Sequence, residues 1–485
     1  MSRSETSPLL PSRNGQDEPI IVSWDGPDDA QNPANWTDGK RTVHVAIVFL
    51  LTFLSPLGAT LFAPAADRAM QDLKTTNSVL PSLVVSVYVL GWAVGPLAAG
   101  PLSEVHGRWA VYTWSNTLYV VATVGCAVSP TIEILTLCRL LAGCLSSTPL
   151  TIGGGTISDI VPVQKRGLAL SMYMLGPVLG PCVGPLAGGF LTDTAGWRSI
   201  FWVLGAVYAL VTLIQVAVMQ ETYPMAILAR KTRRLQKTTG NNQLRSQLDV
   251  GLSSKQVLAR AITRPGRIAV SSRVNWIIGP ISAYVNGLVF LMLTTAPVVF
   301  QKEYAFSPRD VGLAFFGYGM GNVLGLACFL AVSDRLVRFR AARGDKRPEV
   351  RLACAIAAAP LLALGMLWFG WAADVHTHWA VPVAGSAVVG AANVLFFSSV
   401  VGYLVDTYTV YASSAVAANT VIRSIGGALM PLVGRGLFAR LHWGWASTVL
   451  AAPPLLFFPA LGYLYVRGQH LRSKDPKQLW PASAN

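Results

Sequence analysis

The chain has 485 residues, of which 52% are hydrophobic and only 13% charged, and this balance excludes an ordinary soluble protein of that length. A formal net charge of +15 would suit nucleic-acid binding, but the charges are clustered between long apolar runs, which argues against a nucleic-acid partner. The six cysteines lie inside apolar runs without metal-site spacing, so we predict neither disulfides nor a metal site.

The first 42 residues are polar and rich in Ser, Asp, Asn and Pro, which predicts a largely disordered tail. The first apolar run begins near Val43 and is long enough to span a membrane. We therefore expect it to remain as a span rather than to be cleaved as a signal peptide.

Twelve apolar runs of about 20 residues follow, each long enough to cross a hydrocarbon core of about 30 Å. They predict an all-α membrane protein with transmembrane helices at 43–65, 79–99, 111–129, 134–156, 168–190, 199–219, 275–299, 311–332, 352–372, 379–404, 412–436 and 445–465. Six helices fall in a bundle at 43–219 and six in a bundle at 275–466, with a linker at 220–274 and a tail at 467–485. Such a duplication suggests a site between the halves near the midplane.

Positive charges are concentrated at alternate connections. Eleven Lys and Arg residues lie between Arg230 and Arg273, and seven between Arg335 and Arg351, whereas the intervening connections are short and poor in them. The positive-inside rule therefore predicts that the basic loops and both termini are cytoplasmic, with some contact to membrane lipid headgroups.

Residues 168–191 contain no charge, yet 176–189 include three prolines and five glycines, which a soluble helix would not tolerate. Four of the glycines recur every four residues and give the predicted fifth helix a smooth face for close packing. The stretch comprises Gly176, Pro177, Gly180, Pro181, Gly184, Pro185, Gly188 and Gly189. Spacing alone leaves open whether it is only a packing seam or also controls access.

A charged turn follows the second predicted helix, with the sequence Gly100-Pro101-Leu102-Ser103-Glu104-Val105-His106-Gly107-Arg108. The glycines allow a tight turn. Glu104 and Arg108 can pair with each other or with neighbouring helix ends, which predicts a charge lock at the inner mouth. An ordinary charged turn is the alternative.

Arg139 lies inside the fourth predicted helix, about one and a half turns from its outer end, and Gly143 follows four residues later. A charge at this depth is costly and suggests a functional site. The alternative is a side chain that snorkels to the outer interface.

Taken together, these features resemble the signature motifs of the major facilitator superfamily. The turn has Gly100, Leu102, Glu104, Gly107 and Arg108 at the family's fixed positions. Trp109 and Ala110 stand where another basic residue is usual, and the second-half counterpart is reduced to Ser333-Asp334-Arg335. The resemblance implies a role in proton coupling for the Arg139–Gly143 pair. It also implies that the glycine–proline stretch is the antiporter motif, which is associated with exporters.

Further stretches resemble one branch of that family, the fungal drug:proton antiporters with twelve helices. They cover roughly residues 30 to 470 and include Asn32-Pro33-Ala34-Asn35-Trp36, Gly153-Gly154-Gly155 with Asp159 and Arg166, Gly196-Trp197-Arg198, Glu221-Thr222-Tyr223-Pro224, Pro348-Glu349-Val350-Arg351-Leu352 and Arg423-Ser424.

Arg423 is a second arginine in the middle of a predicted helix, so it should face the bundle interior or an aqueous cavity. It is either part of a structural ion pair or the counter-charge of an anionic substrate. No predicted helix holds a carboxylate or histidine at mid-depth that would be an obvious proton carrier. Asp159 lies at a helix end and is counted among the coupling or gating candidates.

Polar and aromatic side chains inside the predicted helices are candidates for a substrate cavity, although each could equally serve helix packing. These residues are Tyr88, Trp92, Tyr173, Tyr284, Asn286, Tyr318, Asn393, Phe396 and Asn419.

We therefore predict a monomeric, proton-coupled antiporter, not an enzyme, that exports a small organic molecule by alternating access. The sequence contains no ATP-binding module, so no cofactor is expected and the proton gradient should supply the energy. The plasma membrane is the expected location, with the vacuolar membrane as an alternative. A nutrient importer or facilitator and a non-transporting sensor are the rival functions. The two intramembrane arginines favour neutral or anionic cargo over a polycation.

Overall fold

A computed structural model describes residues 20–75, 80–241, 243–249, 254–345, 347–408 and 411–474. The described chain is almost entirely helical. Its helices are α1 (Asp38–Thr60), α2 (Ala66–Asp72), α3 (Leu80–His106), α4 (Arg108–Ala127), α5 (Ile132–Ile160), α6 (Val163–Ala195), α7 (Trp197–Val218), α8 (Pro224–Thr239), α9 (Ser254–Ser271), α10 (Arg273–Glu303), α11 (Pro308–Ala342), α12 (Leu352–Asp374), α13 (Ala380–Tyr408) and α14 (Ala412–Ser473). Three 3-10 turns (Pro33–Asn35, Ala63–Ala65 and Pro348–Arg351) and two strands, β1 (Ile21–Val22) and β2 (Arg245–Ser246), complete the described elements.

The predicted all-α membrane fold is confirmed, since eleven helical segments of the described residues are long and apolar enough to cross a membrane. The predicted third span, which corresponds to α4, is outside this set because Tyr, Thr, Ser and Asn residues interrupt its aliphatic sequence. Its 20 residues nevertheless extend about 30 Å, and they pack along α5 and α7. The last two predicted spans both belong to α14, which breaks at His442, where φ is 59°.

The hydrophobic core follows the two predicted halves. Two clusters of buried side chains come from residues 36–219, and a third comes from 268–464 together with Val89 of α3. The most extensive helix contacts between the halves are those of α6 with α11 and of α3 with α14. The two halves therefore meet along two helix pairs.

The part of the N-terminal tail from residue 20 onwards is folded, contrary to the predicted disorder. β1 pairs in parallel with β2 of the linker, and Lys231 of α8 binds the Asp25 carboxylate at 2.5 Å. Trp36 is buried and packs against His44, with ring centroids 4.7 Å apart. We call this docked segment, residues 20–37, the N-terminal strap. The sequence gives it no apolar run, so its order depends on partners far away in the chain.

We call the end of the molecule that carries α8 and α9 the basic end, and the other the opposite end. At the basic end, ion pairs and hydrogen bonds tie helix ends together, as with Lys165 to Asp38 at 2.8 Å. At the opposite end, Trp197 donates its indole N–H to Asp72 at 2.9 Å and Trp443 donates to Glu303 at 2.9 Å.

Candidate functional site

Arg139 of α5 is buried in the first half, with 1% of its surface exposed. Its guanidinium donates to the carbonyl oxygens of Gly58 (2.7 Å) and Ala59 (3.1 Å) in α1 and of Val84 (3.2 Å) in α3. This burial excludes snorkelling to the interface.

The two α1 carbonyls explain why an arginine is suited to this position. α1 ends at Thr60, so the carbonyls of Gly58 and Ala59 belong to its last turn, where no further helical N–H is in place to satisfy them. Arg139 supplies those donors and places positive charge at the negative end of the helix dipole. Its hydrogen-bonding capacity is thus largely used by the protein itself.

Gly143 lets α5 and α3 approach closely. A Cβ atom at this position would lie 2.1 Å from the carbonyl oxygen of Tyr88, so only glycine fits. Tyr88 is fully buried, and its hydroxyl donates to the Ser55 carbonyl at 3.1 Å and to the Tyr119 hydroxyl at 3.3 Å. The structure therefore places Tyr88 beside Arg139 inside the first half rather than at the interface between the halves.

A charge lock closes the basic end of the first half. Arg108, at the start of α4, pairs with Asp159, at the end of α5, with 3.4 Å between Nε and Oδ2. Its backbone N–H donates to Glu221 at 2.7 Å, and Glu221 in turn pairs with Arg230 at 3.3 Å. Gly107 makes this possible, because its φ is +91° and a Cβ there would lie 2.0 Å from the Glu221 carboxylate.

Glu104 does not join this lock, contrary to the expected pairing with Arg108 or with neighbouring helix ends. It is exposed, and no ion pair involves it among the residues that the structure describes. Glu221 makes the contact that was expected of Glu104, because the chain after α7 folds back and brings the Glu221 carboxylate beside Gly107. The Glu221-Thr222-Tyr223-Pro224 stretch resembles the family sequence, but the resemblance does not predict this pairing of Glu221. The only feature of the sequence that could have indicated this role was the position of the Glu221 carboxylate directly after a predicted span.

The glycine row of α6 packs within the first half. Cβ atoms at Gly176, Gly180, Gly184 and Gly188 would each lie 3.1 Å or less from atoms of α1 or, at Gly188, of Leu61 just beyond it. The closest such approach is 1.8 Å, at Gly188. The row is therefore the seam by which α6 lies against α1, as the packing interpretation predicted.

The neighbouring face of α6 contacts the other half. A Cβ at Gly189 would lie 2.3 Å from the Pro308 carbonyl oxygen, and one at Gly312 would lie 2.7 Å from the Pro185 carbonyl oxygen. Nearer the midplane, a Cβ at Gly319 would collide with the Cys182 sulfur. All of these contacts lie in the half of α6 nearest the opposite end. We call this surface the opposite-end gate.

Arg423 of α14 lies at mid-depth and is partly exposed. Its guanidinium carbon is 5.0 Å from the centre of the Phe397 ring, and it interacts electrostatically with Tyr173 of the first half. No carboxylate of the described residues forms an ion pair with it, which rules out the structural ion pair for that part of the chain. Phe397 was not among the predicted cavity residues; its neighbour Phe396 was.

The predicted cavity residues divide into two groups. Trp92 lies where the halves meet, with its ring centroid 6.3 Å from that of Phe290 in the other half. Tyr173 donates to the Leu150 carbonyl at 2.8 Å and Asn286 to the Arg423 carbonyl at 2.9 Å, each within its own half. The others are engaged within one half. Those are Tyr88, Tyr284, whose hydroxyl donates to Leu450, Tyr318 with Asn393 at 3.4 Å, Phe396 in the second-half core, and Asn419, which is buried.

These features define a class of protein. The first half has a charge lock at the basic end, the two halves meet at the opposite end through glycine contacts, and two arginines lie inside membrane-spanning helices. This is the architecture of a multi-pass membrane transporter. Among the described residues, no three His, Cys, Asp or Glu side chains are arranged to hold a metal ion.

Comparison with known proteins identifies the family. The family model described as Major Facilitator Superfamily matches residues 48–372, and the chain belongs to that superfamily. It is 43% identical over 458 residues to the MFS-type transporter atr4 of Stereocaulon alpinum, covering 94% of this chain and 83% of that one. It is 40% identical over 471 residues to the efflux pump radE of Floropilus chiversii, covering 96% and 87%.

Solved structures share the fold at low sequence identity. The xylose transporter XylE from E. coli, in a partially occluded inward-open conformation, aligns with a TM-score of 0.65 at 15% identity, covering 88% of this chain and 98% of that one. The human organic anion transporter MFSD10 aligns with a TM-score of 0.59 at 18% identity, covering 88% and 100%. The superfamily match and the relatives named as transporters make the protein a transporter of small molecules rather than an enzyme.

Proposed function

We propose that the protein is a proton-coupled exporter that moves a small organic molecule out of the cytoplasm by alternating access. The observation that carries this proposal is that two neighbouring faces of α6 pack against different halves of the molecule. One face binds α1 within the first half, and the neighbouring face forms the opposite-end gate with α11. A rigid half can then rock against the other, with the glycines of the gate allowing tight closure.

Two further observations support export. The relatives include a protein named as an efflux pump, and the glycine–proline stretch matches the motif associated with exporters. The positive-inside rule makes the basic end cytoplasmic. The gate that is closed in this conformation then faces away from the cytoplasm, and the plasma membrane is the proposed location.

We assign proton coupling to the charged groups of the first half. Asp159 is the carboxylate that shares a lock with Arg108 at the basic end, where a cytoplasmic proton equilibrium can reach it. Arg139 holds α1, α3 and α5 together, so a change in its hydrogen bonds would move all three helices at once. Gly143, which lets α5 lie against α3 beside Arg139, completes the proposed coupling set.

Export is tested with strains that lack or overproduce the protein, by untargeted mass spectrometry of cells and medium. The expected result is one or more compounds that accumulate in cells of the deletion strain and in medium of the overproducing strain. A protonophore should abolish the difference. Accumulation in the opposite direction would identify an importer, and export that persists without a proton gradient would disprove the coupling.

The gate is tested by two glycine-to-leucine variants in α6. Gly189→Leu should leave the first half intact but prevent closure of the opposite-end gate, so that cysteines introduced beside Gly312 become accessible to membrane-impermeant reagents. Gly180→Leu should instead disrupt the α1–α6 seam and reduce the amount of folded protein. Equal labelling of wild type and Gly189→Leu would contradict this assignment of the gate.

A further inference from the structure

Arg139 and Arg423 are both intramembrane arginines, but their guanidinium groups are used differently. Arg139 donates to three backbone carbonyls. Arg423 makes no side-chain hydrogen bond or ion pair with the residues that the structure describes; its guanidinium lies against the Phe397 ring. Its five N–H donors therefore remain free of protein acceptors in the described chain.

The face of α14 on which Arg423 lies is turned towards the interior. Ile425, Leu429 and Val433 form the exposed stripe of this part of the helix, at 41%, 55% and 70% exposure. Arg423 lies about 160°, 120° and 80° around the helix from Ile425, Leu429 and Val433, so it is off this stripe. Gly427, one turn after Arg423, packs against Asn286 and against Val89 of the first half. The accessible part of Arg423 thus borders the space between the halves.

Aromatic groups from both halves surround this space. The guanidinium carbon of Arg423 lies 5.0 Å from the centre of the Phe397 ring of α13. Trp92 of α3 and Phe290 of α10 face each other edge-on across the interface, 6.3 Å apart. The result is one positive group at mid-depth between flat apolar surfaces.

A cation held in a low-dielectric interior without a charged partner is costly, and proteins keep such groups where a ligand or water satisfies them. A guanidinium presents two parallel N–H groups that match the two oxygens of a carboxylate. Stacked aromatic rings bind the flat part of an organic molecule through apolar contact. The guanidinium and the aromatic rings therefore complement the same kind of ligand.

We propose that Arg423 binds the carboxylate of an aromatic organic acid, whose ring system lies against Trp92, Phe290 and Phe397. This inference rests on the proposed function, because it names the chemical class of the exported molecule. Arg423 is then a substrate-binding residue, whereas Arg139 organises the first half.

The test is equilibrium binding to the purified full-length protein in lipid nanodiscs, without any proton gradient. The probes are benzoate, 1-naphthoate and 9-anthracenecarboxylate, each paired with its methyl ester, and binding is measured by isothermal titration calorimetry. The wild-type protein should bind at least one acid about tenfold more tightly than its ester, a difference of about 1.4 kcal/mol. Arg423→Gln should remove that difference and leave ester affinity unchanged, whereas Arg423→Lys should retain part of it.

A matched control is Arg343→Gln, which removes an arginine stacked on Phe339 at 4.0 Å outside the proposed site, and it should preserve the preference for acids. The melting temperature without ligand separates binding from a structural role: it should stay the same or rise in Arg423→Gln. Equal binding of acids and esters by the wild type, an unchanged preference in Arg423→Gln, or a lowered melting temperature with loss of ester binding would each overturn the proposal. Because no gradient is present, none of these results bears on proton coupling, which the protonophore experiment tests separately.

Discussion

The two halves of the molecule use the same helix packing with different charges. In the first half, Gly143 of α5 lies against the Tyr88 carbonyl of α3; in the second, Gly390 of α13 lies against the Tyr318 carbonyl of α11. The comparison fails at one position in particular. Four residues before the glycine, the first half has the buried Arg139, and the second half has Ser386, whose hydroxyl donates to Val383.

This difference shows that packing and charge are separable in the fold. The glycine–tyrosine contact is present in both halves and sets the helix spacing. The buried arginine is present in one, where it satisfies the end of α1. The second half instead carries its arginine on α14, facing the interface. Four experiments test whether packing and charge contribute separately in the two halves.

The largest effect is expected from Arg139→Gln, with Ser386→Ala as its counterpart. The first change leaves buried carbonyls of α1 and α3 without donors and should destabilise the protein by about 2–4 kcal/mol, whereas the second should cost less than about 1 kcal/mol. Thermal unfolding of the two purified variants, followed by tryptophan fluorescence, checks this. Equal stability would show that Arg139 does not hold the first half together.

Gly143→Val and Gly390→Val should destabilise their halves to a similar degree. Each places a branched side chain where a Cβ atom would already lie 2.1 Å or 2.4 Å from a tyrosine carbonyl oxygen. We expect a cost of roughly 1–3 kcal/mol at either position. The yield of monodisperse protein in size-exclusion chromatography is the measurement. A loss confined to Gly143→Val would mean that the repeat of the packing is only apparent.

The charge locks of the two halves at the basic end should differ modestly in their contribution to stability. In the first half, the side chains of Arg108 and Asp159 are only 13% and 17% exposed. In the second half, the side chain of Arg351 is 23% exposed, and those of its partners Asp406 and Asp334 are 38% and 64% exposed. Asp159→Asn should therefore lower the melting temperature more than Asp406→Asn, because screening by solvent weakens exposed pairs. The reverse order would contradict the role of burial.

The smallest effects on stability are expected from changes to Glu104 and Asp334, carboxylates at counterpart positions in the two halves. Glu104 is exposed without an ion pair among the described residues, and Asp334 lies 3.6 Å from Arg351. Glu104→Gln should leave stability within about 0.5 kcal/mol of wild type, and Asp334→Asn should cost no more than about 1 kcal/mol. Thermal unfolding at low and high salt checks both. A large loss in Glu104→Gln would restore the expected role of Glu104 in the lock.

Much of the fold followed from the sequence, because long apolar runs and clustered charges leave few alternatives in a membrane. The site followed only in part. The depth of Arg139 and Arg423 was visible, but their partners were not, since Gly58, Phe397 and Tyr173 become neighbours only when distant helices pack. Glu221 rather than Glu104 joins the lock for the same reason: the positive φ of Gly107 directs the turn towards a carboxylate more than 100 residues later.

The N-terminal strap also has a consequence for the order of biosynthesis. Its Ser23 hydroxyl donates to Gln247 at 2.5 Å, and these residues are 224 positions apart. At about 5–20 residues per second, the strap waits roughly 10–45 s for its partner strand to leave the ribosome. By then every helix of the first half has been synthesised. Pairing of β1 can therefore occur only on a first half whose chain is complete, and a nascent chain truncated before residue 245 would leave β1 without its partner strand.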